Sequence, residues 1–274
     1  MTTTRTSTTR HYLMCKPTFF EVSYEINPWM DVTRETSAEL AVKQWTVLYE
    51  TFLAWGHKVE LIDPIPGLPD MVYAANGATV VDGLVYSAKF RYPERAAEGP
   101  AYQKWFADHG YVTHTAAEVN EGEGDILMVG DVFLGGSGFR TDPASHRELA
   151  DVSGREVITL ELVSPHFYHL DTALTVLDSD PAHPVIAYHP PAFSEASQKI
   201  LAERYPDAVI VGADCASHLG LNAVSDGKRV VVAPGATEFA AALRDRGFEP
   251  FPVDTSELLK GGGGAKCCTL EIRA

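Results

Sequence analysis

Cysteine is scarce in this 274-residue chain, with four in all. Cys15, Cys215, Cys267 and Cys268 fall into neither a disulfide framework nor a zinc-ligand spacing, which suits a reducing, cytoplasmic setting. No apolar run approaches the roughly 20 residues that a membrane-spanning helix needs. Positive charge is also short: 22 Lys and Arg stand against 37 Asp and Glu, a formal charge of -15. Such a surface repels nucleic acid and anionic membranes but tolerates a cationic small molecule. The Thr- and Arg-rich stretch 1–10 has no apolar h-region, so it reads as a disordered tail rather than a secretory signal. No Gly-x-Gly-x-x-Gly turn opens a helix, which counts against an open dinucleotide-binding sheet. The glycine run Gly261–Lys266 lacks the spacing of a phosphate loop.

A weak internal repeat is present. Short apolar strands start after a small polar residue at Asn76, Asp125, Asp171, Asn222 and Cys268, at intervals of roughly 45–50 residues. A turn such as Asp82-Gly83 or Asp226-Gly227 and a second strand follow most of them. Helices are expected at Ala38–Trp55, Pro100–His109, Ser145–Val152, Ser194–Tyr205 and Thr237–Arg246, each followed by a return strand. Leu40, Val42, Trp45, Leu48, Tyr49, Phe52 and Leu53 carry the apolar face of the first helix. Five strand–strand–helix–strand units close most simply as a ring, with the C-terminal strand beside the N-terminal one. The five polar starts would then face one axial cavity. No linker divides the chain, so 11–274 reads as one domain.

The chemistry-bearing residues cluster at those starts. Cys267 ends a flexible glycine loop, and Lys266 beside it would favour the thiolate. The same stretch is also readable as the start of a buried terminal strand, with Cys268 structural. Asn120-Glu121-Gly122-Glu123-Gly124-Asp125 packs three carboxylates around two glycines; it is equally a plain acidic turn. His166 and His169 have a metal-compatible spacing only if helical, and no metal site is expected. Asp70, Asn76 and Arg95 lie in segments that also read as ordinary loops. A thiol, a histidine and a carboxylate together make the inventory of a cysteine–histidine–acid nucleophilic catalyst.

These motifs, in order along nearly the whole chain, resemble the guanidine-modifying branch of the pentein superfamily, which contains dimethylarginine dimethylaminohydrolase, arginine deiminase and the amidinotransferases. The carriers are Leu68-Pro69-Asp70, Glu121-Gly-Glu-Gly-Asp125, His169-Leu-Asp171 and Gly-Gly-Gly-Ala-Lys-Cys267. The resemblance implies a five-bladed α/β propeller, the ring inferred above from the repeat. It implies Cys267 as nucleophile, His169 as general acid/base and Glu121 as the acid orienting it. It also assigns substrate binding to Asp70, Asn76, Arg95, Arg140, Asp125 and Asp171, with the two arginines on the α-carboxylate and Asp171 on the guanidinium. Pro17–Phe20 resembles the mobile lid. No cofactor is implied, and a homodimer stays open.

Two departures qualify the resemblance. The acidic motif has one extra residue, so Glu121 and Glu123 compete for the orienting role; Glu121 is preferred, with a local bulge absorbing the insertion. Where the dimethylarginine hydrolases carry an acidic pair, this chain has Ala75-Asn76, which would tolerate a neutral ureido group. The implied activity is hydrolysis of an N-methylated arginine to citrulline and a methylamine. Arginine deiminase, a citrulline-type hydrolase, an amidinotransferase and a non-catalytic arginine-binding propeller are the rivals.

Overall fold

The helices form where apolar spacing predicts, and their edges are set by turn chemistry. Ser37 caps the first helix, Ala38–Ala54, by accepting the Leu40 N–H at 3.2 Å. Its buried face is Ala41, Trp45, Leu48 and Phe52, whereas Leu40 and Leu53 of the expected apolar face point to solvent. Leu48 and Phe52 each contribute about 1.5–3 kcal/mol by leaving water. Helices Glu98–Asp108, Pro143–Ser153, Glu195–Arg204 and Thr237–Asp245 follow, within a few residues of expectation.

The computed structural model describes residues 5–273, and in it the strands form five three-stranded sheets. Four follow one plan, in which an inner strand pairs antiparallel with a second strand that pairs parallel with a return strand. Ala78–Val81, Leu84–Ser87 and Val112–His114 are one such set. Ile126–Val129, Val132–Ser137 and Val157–Glu161 are the next. Leu174–Asp178, Val185–Tyr188 and Val209–Ile210 come third, then Val224–Ser225, Arg229–Val232 and Glu249–Pro252. The remaining sheet keeps the plan but joins distant chain: Leu270–Glu271 pairs antiparallel with His11–Cys15, which pairs parallel with Lys58–Ile62. The tight hairpin between Val81 and Leu84 needs two left-handed residues, and Asp82 and Gly83 supply them at φ 50° and 75°.

The inner strands do start just after the polar residues: Asn76 and Asp171 lie in the helical turns Ala74–Gly77 and Leu170–Ala173, Asp125 directly follows the turn Gly122–Gly124, and Asn222 and Cys268 stand just ahead of Val224 and Leu270. One expectation is corrected. The expected disordered tail is ordered over residues 5–10. Thr8 donates its N–H to the Asp226 carbonyl at 2.8 Å, while Arg5 pairs with Asp178 at 3.1 Å and lies over the Phe248 ring. Residues 1–4 of that stretch lie outside the described residues.

Candidate active site

The glycine-rich 261–264 loop approaches its neighbours too closely for side chains. A Cβ at Gly262, already at φ 94°, would sit 2.7 Å from Asn27 Oδ1, and one at Gly264 would sit 3.0 Å from Asn222 Oδ1. The loop is held by Tyr168, whose hydroxyl donates to the Gly262 carbonyl at 2.8 Å, and by Asn27, which donates to Gly261 at 3.1 Å. Cys267 follows, only 1% exposed. Asn222 Oδ1 accepts the backbone N–H groups of Gly264 and Cys267, and its Nδ2 donates to Cys267 Sγ, all at 3.1 Å. The Cys267 thiol donates to Asp171 Oδ2 at 3.3 Å.

Lys266 does not activate this thiol. Its ammonium turns away, to Glu123 Oε2 at 2.8 Å and the Thr269 carbonyl at 2.9 Å. Burial, and then the Asp171 carboxylate, push the Cys267 thiol well above its ordinary value. The sequence-based expectation of a lysine-favoured thiolate is therefore overturned: side-chain direction outweighs adjacency in the chain. Burial also raises Cys268 strongly; it lies in the core with Tyr12, Met14 and Trp45, a structural role.

His169 precedes the short helix Leu170–Ala173, whose first N–H, that of Leu170, is accepted by Asp125 Oδ1 at 2.9 Å. Asp125 thus fixes the residue after the histidine, while its Oδ2 is buried without a partner. Burial raises its carboxyl to about 6. His169 Nε2 lies 2.8 Å from Glu121 Oε2. Burial alone would raise the Glu121 carboxyl, yet Arg140 and His169 hold it down at about 2. As an ionised carboxylate only accepts, the ring nitrogen that faces it, Nε2, carries a proton, and Nδ1 is the nitrogen turned away from Glu121. That Nδ1 is buried without a partner. Gly124 makes its space: a Cβ there would lie 3.1 Å from Nδ1 and overlap Asn76 Nδ2. Glu121 and not Glu123 meets the histidine, and the extra residue is absorbed in the Gly122–Gly124 turn, with Gly122 at φ 53°.

Asp171 Oδ1 is likewise buried and unpaired, and burial raises its carboxyl to about 7. Asn76 Nδ2 and Asp70 Oδ1 complete a set of unpaired polar atoms among the turns that precede the strands. Donors and acceptors buried without partners are rare, and this set suits a polar ligand.

The two arginines expected to hold a carboxylate already have anionic partners. Arg140 donates to Glu121 Oε2 and to the Ile26 carbonyl, both at 2.8 Å, between the rings of Tyr92 and Tyr168. Arg95 donates to both oxygens of Glu98, at 3.0 and 2.7 Å, and to Asn76 Oδ1 at 2.8 Å. Both therefore also act as positioning residues.

The lid expected at Pro17–Phe20 is the start of a longer strap. Phe20 packs edge-on to Tyr73, and further on Tyr24 donates to Asp70 Oδ2 at 2.9 Å while Trp29 Nε1 donates to the His166 carbonyl at 3.0 Å. Sequence reasoning missed Tyr24, Ile26 and Asn27 as parts of the site's roof. It named Asn222 as a repeat start but gave it no role, although its place in the repeat was the available signal. His166 is exposed, apart from His169. Among the described residues, no three His, Cys, Asp or Glu are arranged to hold a metal ion.

Over 268 residues the chain is 56% identical to an N(G),N(G)-dimethylarginine dimethylaminohydrolase of Mycobacterium tuberculosis, across 98% of this chain and 87% of that one. It is 34% identical over 267 residues to the bifunctional arginine dihydrolase/ornithine cyclodeaminase ArgZ of Synechocystis, across 95% of this chain but 37% of that longer protein. The crystal structure of the N-terminal domain of ArgZ, a mutant bound to substrate, matches with a TM-score of 0.91 at 33% identity, covering 96% of this chain and 98% of that one. A dimethylarginine dimethylaminohydrolase adduct with 4-chloro-2-hydroxymethylpyridine shares the fold, with a TM-score of 0.77 at 19% identity over 97% and 100% of the two chains. No protein-family model matches the chain. A buried cysteine, a Glu-oriented histidine and an unpaired aspartate, carried on five like sheets, stand here in a chain that belongs to the dimethylarginine dimethylaminohydrolase family of the pentein superfamily.

Proposed function

We propose that the protein hydrolyses a guanidino C–N bond of an N-methylated arginine, giving citrulline and a methylamine, with Cys267, His169 and Glu121 as its catalytic residues. The observation that carries this reading is the Cys267 thiol hydrogen-bonded to the Asp171 carboxylate, with the Glu121-held His169, its Nδ1 unpaired, two residues before Asp171 in the chain. A guanidinium cation between Asp171 and Cys267 favours ionisation of both groups, reversing the effect of burial. Cys267 Sγ bonds to the guanidinium carbon as His169 Nδ1 takes the thiol proton. His169 returns that proton to the departing methylamine nitrogen as the C–N bond breaks, leaving an S-alkylthiouronium. Water, deprotonated by His169, then attacks the same carbon. The C–S bond breaks, citrulline forms, and the sulfur regains its proton.

Cys267 is 1% exposed and His169 0%, so we infer that the 16–30 strap lifts to admit substrate. Asp70, Asn76 and Asp171 would receive its polar atoms. Arg95 and Arg140 would supply positive charge near the α-carboxylate without leaving their acidic partners. The five sheets are proposed to close as an α/β propeller, supported by the Val80–Ile272 bridge between the first and last inner strands. Residues 11–274 would then form one catalytic domain. Its four free, buried cysteines suit the cytoplasm, and the chemistry requires no cofactor.

Asn76 favours one second reading. Its unpaired Nδ2 is a donor, suited to a ureido oxygen rather than to a cation, so citrulline, beside arginine, is the alternative substrate. Mass-spectrometric product analysis with dimethylarginine, monomethylarginine, arginine and citrulline separates these cases, with Cys267→Ser as control. Dimethylamine and citrulline, absent in the variant, support the leading reading. Ammonia from arginine or citrulline moves the substrate and keeps the thiol. Turnover unaffected by Cys267→Ser overturns the mechanism, and binding of arginine without turnover of any of the four makes the protein an arginine-binding propeller.

A further inference from the structure

Glu123 is the added acid of the Glu121–Asp125 motif, and it is fully buried. Its carboxylate accepts from Lys266 Nζ at 2.8 Å, from the Glu271 N–H at 3.0 Å, and from Arg273. All three donors lie on the segment that carries Cys267. Two residues back on the turn is Glu121, which holds His169; directly after Glu123 is Gly124, which leaves room for the imidazole.

Buried ion pairs are poor sources of net stability, because desolvation offsets much of the attraction. A buried carboxylate between two cations, one adjacent to the nucleophile, calls for another reason. We propose that Glu123 is a positioning residue: it fixes the Cys267 segment to the turn bearing Glu121 and neutralises Lys266, so that the thiol stays protonated until a cationic substrate arrives. The proposal rests on the reading of Cys267 as nucleophile.

The electrostatic half has a sign. Asp171 is faced by Cys267, Cys268, Tyr168 and the Asn222 amide, with Lys266 and Glu123 behind. After burial, which raises the Asp171 carboxyl, Lys266 lowers it and Glu123 raises it. Asp171 must be ionised to hold a cation, so the acid limb of kcat/KM follows it. Glu123→Gln leaves Lys266 uncompensated and moves that limb to lower pH, whereas Lys266→Met moves it to higher pH.

The experiment measures kcat and the pH profile of kcat/KM for wild type and both variants. Alongside, it follows the pH dependence of Cys267 alkylation by chloroacetamidine, which needs no turnover. A fall in kcat of about tenfold to hundredfold is expected in each variant, the cost of misplacing reacting groups by about 1 Å, with the two limbs shifted in opposite directions. Unchanged kcat and unmoved profiles, even with a lowered Tm, would reduce Glu123 to a staple of the C-terminal strand. Should Glu123→Gln fail to fold, Lys266→Met decides alone, because Arg273 and the Glu271 N–H still satisfy Glu123. If wild type is alkylated but turns over no guanidine, the proposed function falls, and the alkylation profiles still decide the role of Glu123.

Discussion

Asn222 grips Cys267 at both ends, its Nδ2 on the sulfur and its Oδ1 on the backbone N–H, each at 3.1 Å. One amide thus fixes both the position of the Cys267 sulfur and the curl of the glycine loop. Asn222→Ala leaves two buried N–H groups unsatisfied, at about 1–3 kcal/mol each. We expect kcat to drop about hundredfold with a smaller change in KM. Steady-state kinetics on the folded variant checks this, and an unchanged kcat refutes the role.

Asp171 sets the acid side of the activity. With its carboxyl raised to about 7, kcat/KM should rise as pH passes through neutrality, because only the ionised form holds a guanidinium. Asp171→Asn should abolish that limb and raise KM. The stability sign is opposite. Between its ordinary value and about 7 the unfolded chain releases this proton and the folded one retains it, so folding weakens as pH rises through that window. Asp171→Asn should therefore raise Tm at pH 8 more than at pH 4; thermal melts at the two pH values test it.

Arg140 keeps Glu121 ionised in a fully buried position. Arg140→Met strands that carboxylate, which costs about 3–5 kcal/mol, and removes the Ile26 contact of the strap. A marked fall in Tm together with lost activity is expected. A variant with wild-type Tm would mean that Glu121 does not depend on this partner.

Gly124 is the space beside the base. Gly124→Ala drives a methyl towards His169 Nδ1 and onto Asn76 Nδ2, an overpacking cost of about 1–3 kcal/mol. The fold should survive, measured by circular dichroism, while kcat falls by about two orders of magnitude.

Much of this was legible beforehand, for identifiable reasons. Apolar periodicity located the five longer helices and four of the second strands, because each unit must cover one sheet face. The repeat singled out Asn76, Asp125, Asp171, Asn222 and Cys268, because each stands just before the inner strand of a like unit. What failed was direction. Lys266 is next to Cys267 in the chain, yet its side chain leaves on the opposite side, towards Glu123. Arg95 and Arg140 have the right chemistry for a carboxylate, but sequence does not reveal that Glu98 and Glu121 hold them. The strap was seen only at Pro17–Phe20, because the contacts of Tyr24, Ile26 and Asn27 are long-range and irregular backbone has no period to read.

The pairing of Tyr12 with Glu271 and Leu13 with Leu270 orders the chain in time. Closing so long a loop is entropically the most expensive of the sheet contacts, and such contacts form late. While the ribosome works from one end to the other, the turns bearing Glu121 and His169 emerge well before the strand beside Cys267. Cys267 is thus the last of the three proposed catalytic residues to be placed, and a nascent chain carries Glu121 and His169 before it has the thiol.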